Sequence, residues 1–198
     1  MESLDPSALG TGGNYFLMTS LLVPRPIAWL GTRRCGIDNL APFSYFMGVS
    51  SDPPLVAVSV ARGRGGALKD SARNLLETEQ GTLSLVSADR IEAMHRSSAP
   101  FSSEVSEFDA CGLTREPASL VDACYVSGSR AVMEVRLHSA QDLGSTHLFL
   151  LRVVCYQVQE GLLRDGRVAV EDLDPVARLC GDYALLGERR KLPPAKVD

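Results

Sequence analysis

Two late segments constrain this chain most. In 131–137, Ala131, Met133, Val135 and Leu137 alternate with Val132, Glu134 and Arg136, the period of a strand with one mostly polar face. From Thr146 to Val158 a longer run is apolar on both faces at first. Between them Asp142-Leu143-Gly144-Ser145 has the composition of a hairpin turn. A long antiparallel hairpin near the end of the chain must be completed by other strands.

Candidates lie upstream. Pro24-Arg25-Pro26 stops any helix before it. Strands are expected over 27–33, 46–49, 55–60 and 82–86, with a proline-stiffened loop over 39–44 and a turn at Asp52-Pro53-Pro54. Leu68, Ala72, Leu75 and Leu76 mark one face of a helix, with Gly81 at its end, and 88–97 reads as a second helix. Asp165-Gly166 is another tight turn. Six or seven strands against two or three short helices, without regular alternation, favour a mainly β fold: an antiparallel sheet closed into a barrel. The 198 residues suit a single domain over 1–187, followed by a charged tail with two prolines over 188–198.

Composition excludes several roles. There are 20 basic and 24 acidic residues, so no basic excess exists to neutralise a phosphate backbone, and nucleic acid is not expected as a partner. No apolar run approaches the ~18 residues of a bilayer span, and no secretory signal is visible at Met1-Glu2-Ser3-Leu4-Asp5. Five scattered cysteines suggest reduced thiols in the cytoplasm. Without CxxC or HxxxH, and with His95, His138 and His147 dispersed, no metal site is expected.

Three groups could carry chemistry. Thr32, Asn39 and Ser44, around Trp29-Leu30-Gly31-Thr32 and Asn39–Ser44, offer hydroxyls and an amide suited to a planar heterocycle; the same residues also read as an ordinary turn. Arg62-Gly63-Arg64-Gly65-Gly66 precedes a helix holding Lys69-Asp70-Ser71, where a helix N-terminus with Arg62, Lys69 and Ser71 could hold phosphate. A flexible connection reads equally well, and a P-loop does not fit, because Ala67-Leu68 separates Gly66 from Lys69. Cys111-Gly112 and Cys180-Gly181 have no partner histidine and read as buried structural thiols. Without GxSxG or a recognisable carboxylate pair, the difficult chemistry would belong to a cofactor, and no catalytic side chain is assigned.

Taken in order, Arg25-Pro-Ile-Ala-Trp-Leu-Gly-Thr32, Asn39-Leu-Ala-Pro-Phe-Ser44, Asp52-Pro-Pro54, Lys69-Asp-Ser71 with Asn74, Glu107-Phe108, Cys111-Gly-Leu-Thr114, Asp165-Gly166 and Asp174-Pro-Val-Ala-Arg-Leu179 to Tyr183 resemble the flavin reductase-like proteins. The resemblance runs from about Tyr15 to Tyr183. It implies a six-stranded antiparallel Greek-key split barrel with flanking helices, and a homodimer with FMN at the subunit interface. It also implies that Thr32 and the Asn39-Leu40-Ala41 backbone lie along the flavin with Ser44 close by. Ser59, Arg62, Lys69 and Ser71, with Asp70 between the last two, would gather round the phosphate and ribityl chain. Arg178 and Tyr183 would close the C-terminal side. Met47, Cys180 and Ala184 stand where the family often has asparagine, glycine and a second aromatic.

The activity implied is hydride transfer from NADH or NADPH to FMN and on to flavin, oxygen or a partner oxygenase or redox protein. A non-enzymatic FMN carrier of the flavoredoxin kind is the alternative. A barrel acting by dimeric interaction alone fits less well with the polar residues named above. His95 is a conceivable nicotinamide contact, but it reads better as a surface helical histidine.

Overall fold

The computed structural model describes residues 1–195; the last three residues of the 188–198 tail lie outside the described residues. Seven strands form one antiparallel sheet: β1 (Ala28–Arg34), β2 (Ile37–Phe43), β3 (Phe46–Ser51), β4 (Pro54–Ala61), β5 (Gln80–Leu85), β6 (Ala131–Asp142) and β7 (Thr146–Val158). Their order is β2-β1-β5-β6-β7-β4-β3, so β4 and β5 flank the long β6–β7 hairpin from opposite sides. The two edges, β2 and β3, are joined only by Ser44-Tyr45, and the Ser59 N–H donates to the Tyr45 carbonyl at 2.9 Å. The sheet therefore curls into a barrel with a split between its edges.

Several expectations need correction. The sheet has seven strands rather than six, because Ile37–Phe43 adds strand β2 to those expected. That strand takes up most of the segment 39–44, expected as a loop. Pro42 is compatible with it because β2 is an edge. Two residues earlier, the Leu40 N–H points off the sheet to Glu107, so a missing N–H at Pro42 breaks no ladder bond. Gly81 does not end the helix. Helix α2 (Asp70–Thr78) ends at Glu79 in the left-handed conformation (φ 57°), while Gly81 lies in β5, where a Cβ would meet the Gly31 carbonyl oxygen at 2.8 Å.

Strand β1 is buried on both faces. Ala28 and Leu30 join Val58, Val60, Leu83, Val135, Phe149 and Leu151 inside the barrel. Trp29 points outward into a second cluster with Leu40, Met94, Phe108 and Val126, and its indole N–H donates to Ser97 Oγ at 2.9 Å. Helix α2 caps the barrel through Ala72 and Leu75. The stretch 88–97, expected as one helix, is a short 3-10 turn (Ala88–Arg90) followed by helix α3 (Ile91–Arg96).

Near the N-terminus, helix α1 (Pro6–Leu21) breaks at Gly10 (φ 63°) and leaves Tyr15 and Phe16 exposed. Its end is anchored by Arg25, only 8% exposed, whose guanidinium donates to the carbonyls of Thr19 (2.7 Å), Leu22 (2.8 Å) and Leu179 (2.9 Å). Arg25–Pro26 also pairs with Ala177–Arg178, which pairs with Tyr183–Ala184. The start and end of the fold are thus stitched together beside the barrel split.

Candidate functional site

A groove of about 1080 Å³ runs between α1 and the barrel. One wall is aromatic and apolar, from Tyr15, Phe16 and Pro42. The other is polar, from Ser44, Ser59 and Thr146 with Arg62 and Lys69. Ser59 and Thr146 face each other across β4 and β7, their hydroxyls 2.8 Å apart. Four predicted site residues, Ser44, Ser59, Arg62 and Lys69, therefore come together here.

The two cations differ. Arg62 is committed to the protein: it donates to the carbonyls of Gly144 (2.8 Å) and Gly66 (3.0 Å) and to Asp142 Oδ2 (2.7 Å). It clamps the β6–β7 turn to the glycine-rich loop and so gives the groove its shape. The Gly144 backbone N–H, with Arg62, holds the Asp142 carboxyl below the usual carboxylate range. Lys69, the residue before α2, is exposed; its carbonyl accepts from the Arg73 N–H at 3.0 Å, but its ammonium has no hydrogen bond or salt bridge among the described residues. A free ammonium beside a loop of flexible glycines suits a phosphate.

Other predicted residues lie elsewhere. Thr32, Asn39 and Ser71 are buried (1%, 8% and 2% exposed) in a network that binds β1, β2 and α2. Asn39 Nδ2 donates to Ser71 Oγ at 2.9 Å, and Asn74 Nδ2 to Thr32 Oγ1 at 3.0 Å. The Leu40 side chain is in the core, and its N–H is taken by Glu107 Oε2 at 2.8 Å, so it offers no donor to a ligand. Burial pushes the Glu107 carboxyl pKa up. Ala41 packs on the barrel core. Asp70 pairs with Arg73 at 2.5 Å and faces a small cavity near Cys35, away from the groove lining.

Arg178 and Tyr183 line a second cavity, of about 160 Å³, which shares Pro42 and Ser44 with the groove. The Arg178 guanidinium stacks on the Tyr183 ring at 4.5 Å, and Tyr183 OH lies 2.9 Å from His95 Nδ1. His95 is thus a surface residue of α3 and also part of this cavity. Cys111 is buried, as expected. Cys180 is not: the turn between Leu179 and Asp182 leaves it exposed. The Ser20 and Thr19 hydroxyls lower its thiol pKa. Among the described residues no group of three or more His, Cys, Asp or Glu side chains could hold a metal, and no helix is long and apolar enough to cross a membrane.

Reading the sequence missed Tyr15, Phe16, Tyr45 and Thr146 on the groove and His95 as a neighbour of Tyr183. Thr146 had a signal: it stands opposite Ala61 at the mouth of the hairpin, within reach of Ser59.

The flavin reductase like domain family matches residues 18–173. An uncharacterized protein of Halalkalibacterium halodurans is 35% identical over 193 residues, covering 93% of this chain and 92% of its own. The crystal structure of nitrilotriacetate monooxygenase component B from Bacillus cereus is 32% identical, covers 97% of this chain and 98% of its own, and superposes with a TM-score of 0.92. The 2-nitrobenzoate 2-nitroreductase of Pseudomonas fluorescens is 27% identical, with 98% and 96% coverage and a TM-score of 0.89.

Proposed function

The chain belongs to the flavin reductase-like family, a split-barrel family, and from that premise we propose that it binds FMN in the groove and works as an NAD(P)H-dependent flavin oxidoreductase. One observation carries the reading: a groove with an aromatic wall, three hydroxyls and an uncommitted lysine. An isoalloxazine ring, a ribityl chain and a phosphate need those three environments in one continuous site.

In this reading Tyr15, Phe16 and Pro42 cover the ring and exclude water. Ser44, Ser59 and Thr146 exchange hydrogen bonds with the polyol. Lys69 meets the phosphate, and Arg62 keeps the loop and turn in place rather than serving as the principal ligand. A flavin held there would supply the hydride-accepting and electron-returning chemistry, with NADH or NADPH as donor, while these residues bind and orient it. Among the described residues no acidic or histidine side chain lines the groove, in keeping with a protein whose part is binding and positioning.

The working unit is a homodimer. Tyr15 (55%), Phe16 (63%) and Met18 (49%) are exposed along one groove wall, and Met47 (61%) and Val49 (51%) extend the apolar surface on β3. A second subunit would cover such a patch and enclose the ring. Light scattering should then give twice the chain mass of 21.3 kDa. A reduced, cytoplasmic setting goes with the exposed thiols of Cys35 and Cys180.

The test is an absorbance spectrum of the protein loaded with FMN, followed by NADH or NADPH under anaerobic conditions. Prompt bleaching of the flavin bands supports the reductase. Bands that persist with both nucleotides would make it a carrier reduced by another protein. Failure to take up FMN would refute the reading of the groove.

A further inference from the structure

The groove shares Pro42 and Ser44 with the side cavity bounded by Ile27, Met94, His95, Arg178 and Tyr183, so the two lie side by side. We propose that this cavity binds an oxyanion, a carboxylate or a phosphate, of the molecule that exchanges electrons in the adjoining groove. The second half of that statement rests on the flavin reading above; the anion site itself does not.

The charge is one-sided. Arg178 is half-buried, yet among the described residues its guanidinium has no hydrogen bond and no ion pair. Its contact is with the face of Tyr183, which orients the planar fork and leaves its N–H donors unspent. Among the described residues no carboxylate lines the cavity to neutralise it. An oriented, half-desolvated guanidinium is the group best matched to a bidentate oxyanion.

The neighbours add donors. The His95–Tyr183 bond can be made in two ways. If Tyr183 donates its O–H to Nδ1, the imidazole carries its proton on Nε2. If Nδ1–H donates to Tyr183, the phenol proton is released for another acceptor. Either arrangement leaves one spare donor in the pair. Ser44 Oγ accepts from Arg25 Nε at 3.4 Å, so its own proton is also available. Ser98 is excluded from this count, because its hydroxyl donates to the His95 carbonyl at 2.6 Å.

The remaining walls are apolar, from Ile27, Met94 and Pro42. A volume of about 160 Å³ is close to that of a cavity known to admit benzene, roughly 150 Å³. The site therefore suits a small organic anion, or the phosphate end of a larger molecule whose body extends into the groove. Arg178 and Tyr183 in this account select the reaction partner instead of closing over the flavin.

The experiment uses the full chain, with and without FMN, and sodium benzoate and inorganic phosphate as probes. Binding is read from the ring resonances of His95 and Tyr183, and FMN affinity from quenching of flavin fluorescence. At least one probe should shift both resonances. Arg178→Ala should weaken that probe about tenfold or more and leave FMN affinity within about threefold. Arg178→Lys, which keeps the charge and loses the fork, should fall between. Benzoate alone would identify a carboxylate partner. Phosphate alone, with a raised KM for NADH or NADPH in Arg178→Ala, would identify the nucleotide. Two results overturn the proposal: neither probe moves the resonances, or Arg178→Ala weakens FMN as much as the anion. Uptake of benzoate without uptake of FMN would refute the flavin reading of the groove and leave the anion site standing.

Discussion

Glu134 should be the most sensitive carboxylate in the fold. It is fully enclosed (0% exposed) on β6, and four donors converge on it. Oε1 accepts from Ser119 N (3.0 Å), Ser119 Oγ (2.6 Å) and Gln157 Nε2 (2.5 Å); Oε2 accepts from Leu120 N (2.6 Å). Burial alone would raise its pKa, but the bonds from Ser119, Leu120 and Gln157 together outweigh it and hold the group below the usual carboxylate value. Glu134→Gln keeps the shape and turns one acceptor into a donor. With the amide oxygen at the three-donor position, the new NH₂ meets the Leu120 N–H head on. An unsatisfied buried amide costs about 1–3 kcal/mol, and loss of charge assistance on three bonds adds roughly 0.5–1 kcal/mol each. The sum, about 2.5–6 kcal/mol, is a large share of the ~5–15 kcal/mol that holds a domain folded. For a chain of this size it lowers Tm by roughly 5–24 °C. The sign with pH follows from the lowered pKa. The stabilisation is present above the unfolded carboxylate pKa and is lost as pH falls through the folded value. The gap between wild type and variant should therefore be full near pH 7 and shrink below about pH 4. Urea unfolding at both pH values measures it. A variant within about 0.5 kcal/mol of wild type near neutrality, or a gap independent of pH, would refute the reasoning.

Glu107 should behave in the opposite way. Its carboxyl has one donor, Leu40 N–H, and burial raises its pKa, so stability is lost as pH rises past the unfolded carboxylate value. Glu107→Gln can still accept that N–H and should be neutral or stabilising by up to about 1 kcal/mol near pH 7 in thermal melts, with no gain near pH 4. Gly31→Ala should cost about 3 kcal/mol in urea unfolding, because its Cβ would collide with the Cys124 carbonyl oxygen and lie 2.6 Å from Thr82 Oγ1. Lys69→Ala should weaken FMN about tenfold while leaving riboflavin, which has no phosphate, nearly unchanged in fluorescence titrations.

Legibility followed the physics of each segment. The β6–β7 hairpin was readable because 131–137 alternates in hydropathy, 146–158 is a long apolar run, and Asp142–Ser145 between them has turn composition. Strand β2 was not, since Pro42 normally argues against a strand and only its position at an edge makes it tolerable. The end of α2 was misplaced because Glu79, rather than Gly81, adopts the left-handed turn. Helix α1 carries Gly10, Gly12 and Gly13 and has no single apolar face, so nothing announced that it would wall the groove. Of the residues brought together on the groove, Ser44, Arg62 and Lys69 were singled out by their chemistry and Ser59 only through the family resemblance. Thr32, Asn39 and Ser71 have the same chemistry, but their hydroxyls and amide are spent on one another. Polar composition cannot separate a group that meets a ligand from one that meets a neighbour. Arg25 was overlooked between two prolines, although it fastens α1 to Leu179.

That fastening has a consequence for synthesis. Arg25 and Leu179 are 154 positions apart, and the side cavity exists only when the two ends of the fold meet. A growing chain can close the β3–β4 hairpin early, yet the last donor set arrives after almost everything else has emerged. Ligand in the cavity therefore cannot template early folding. It can only reward a chain in which both ends have met, and any truncation before Ala177 should release α1 together with the pocket.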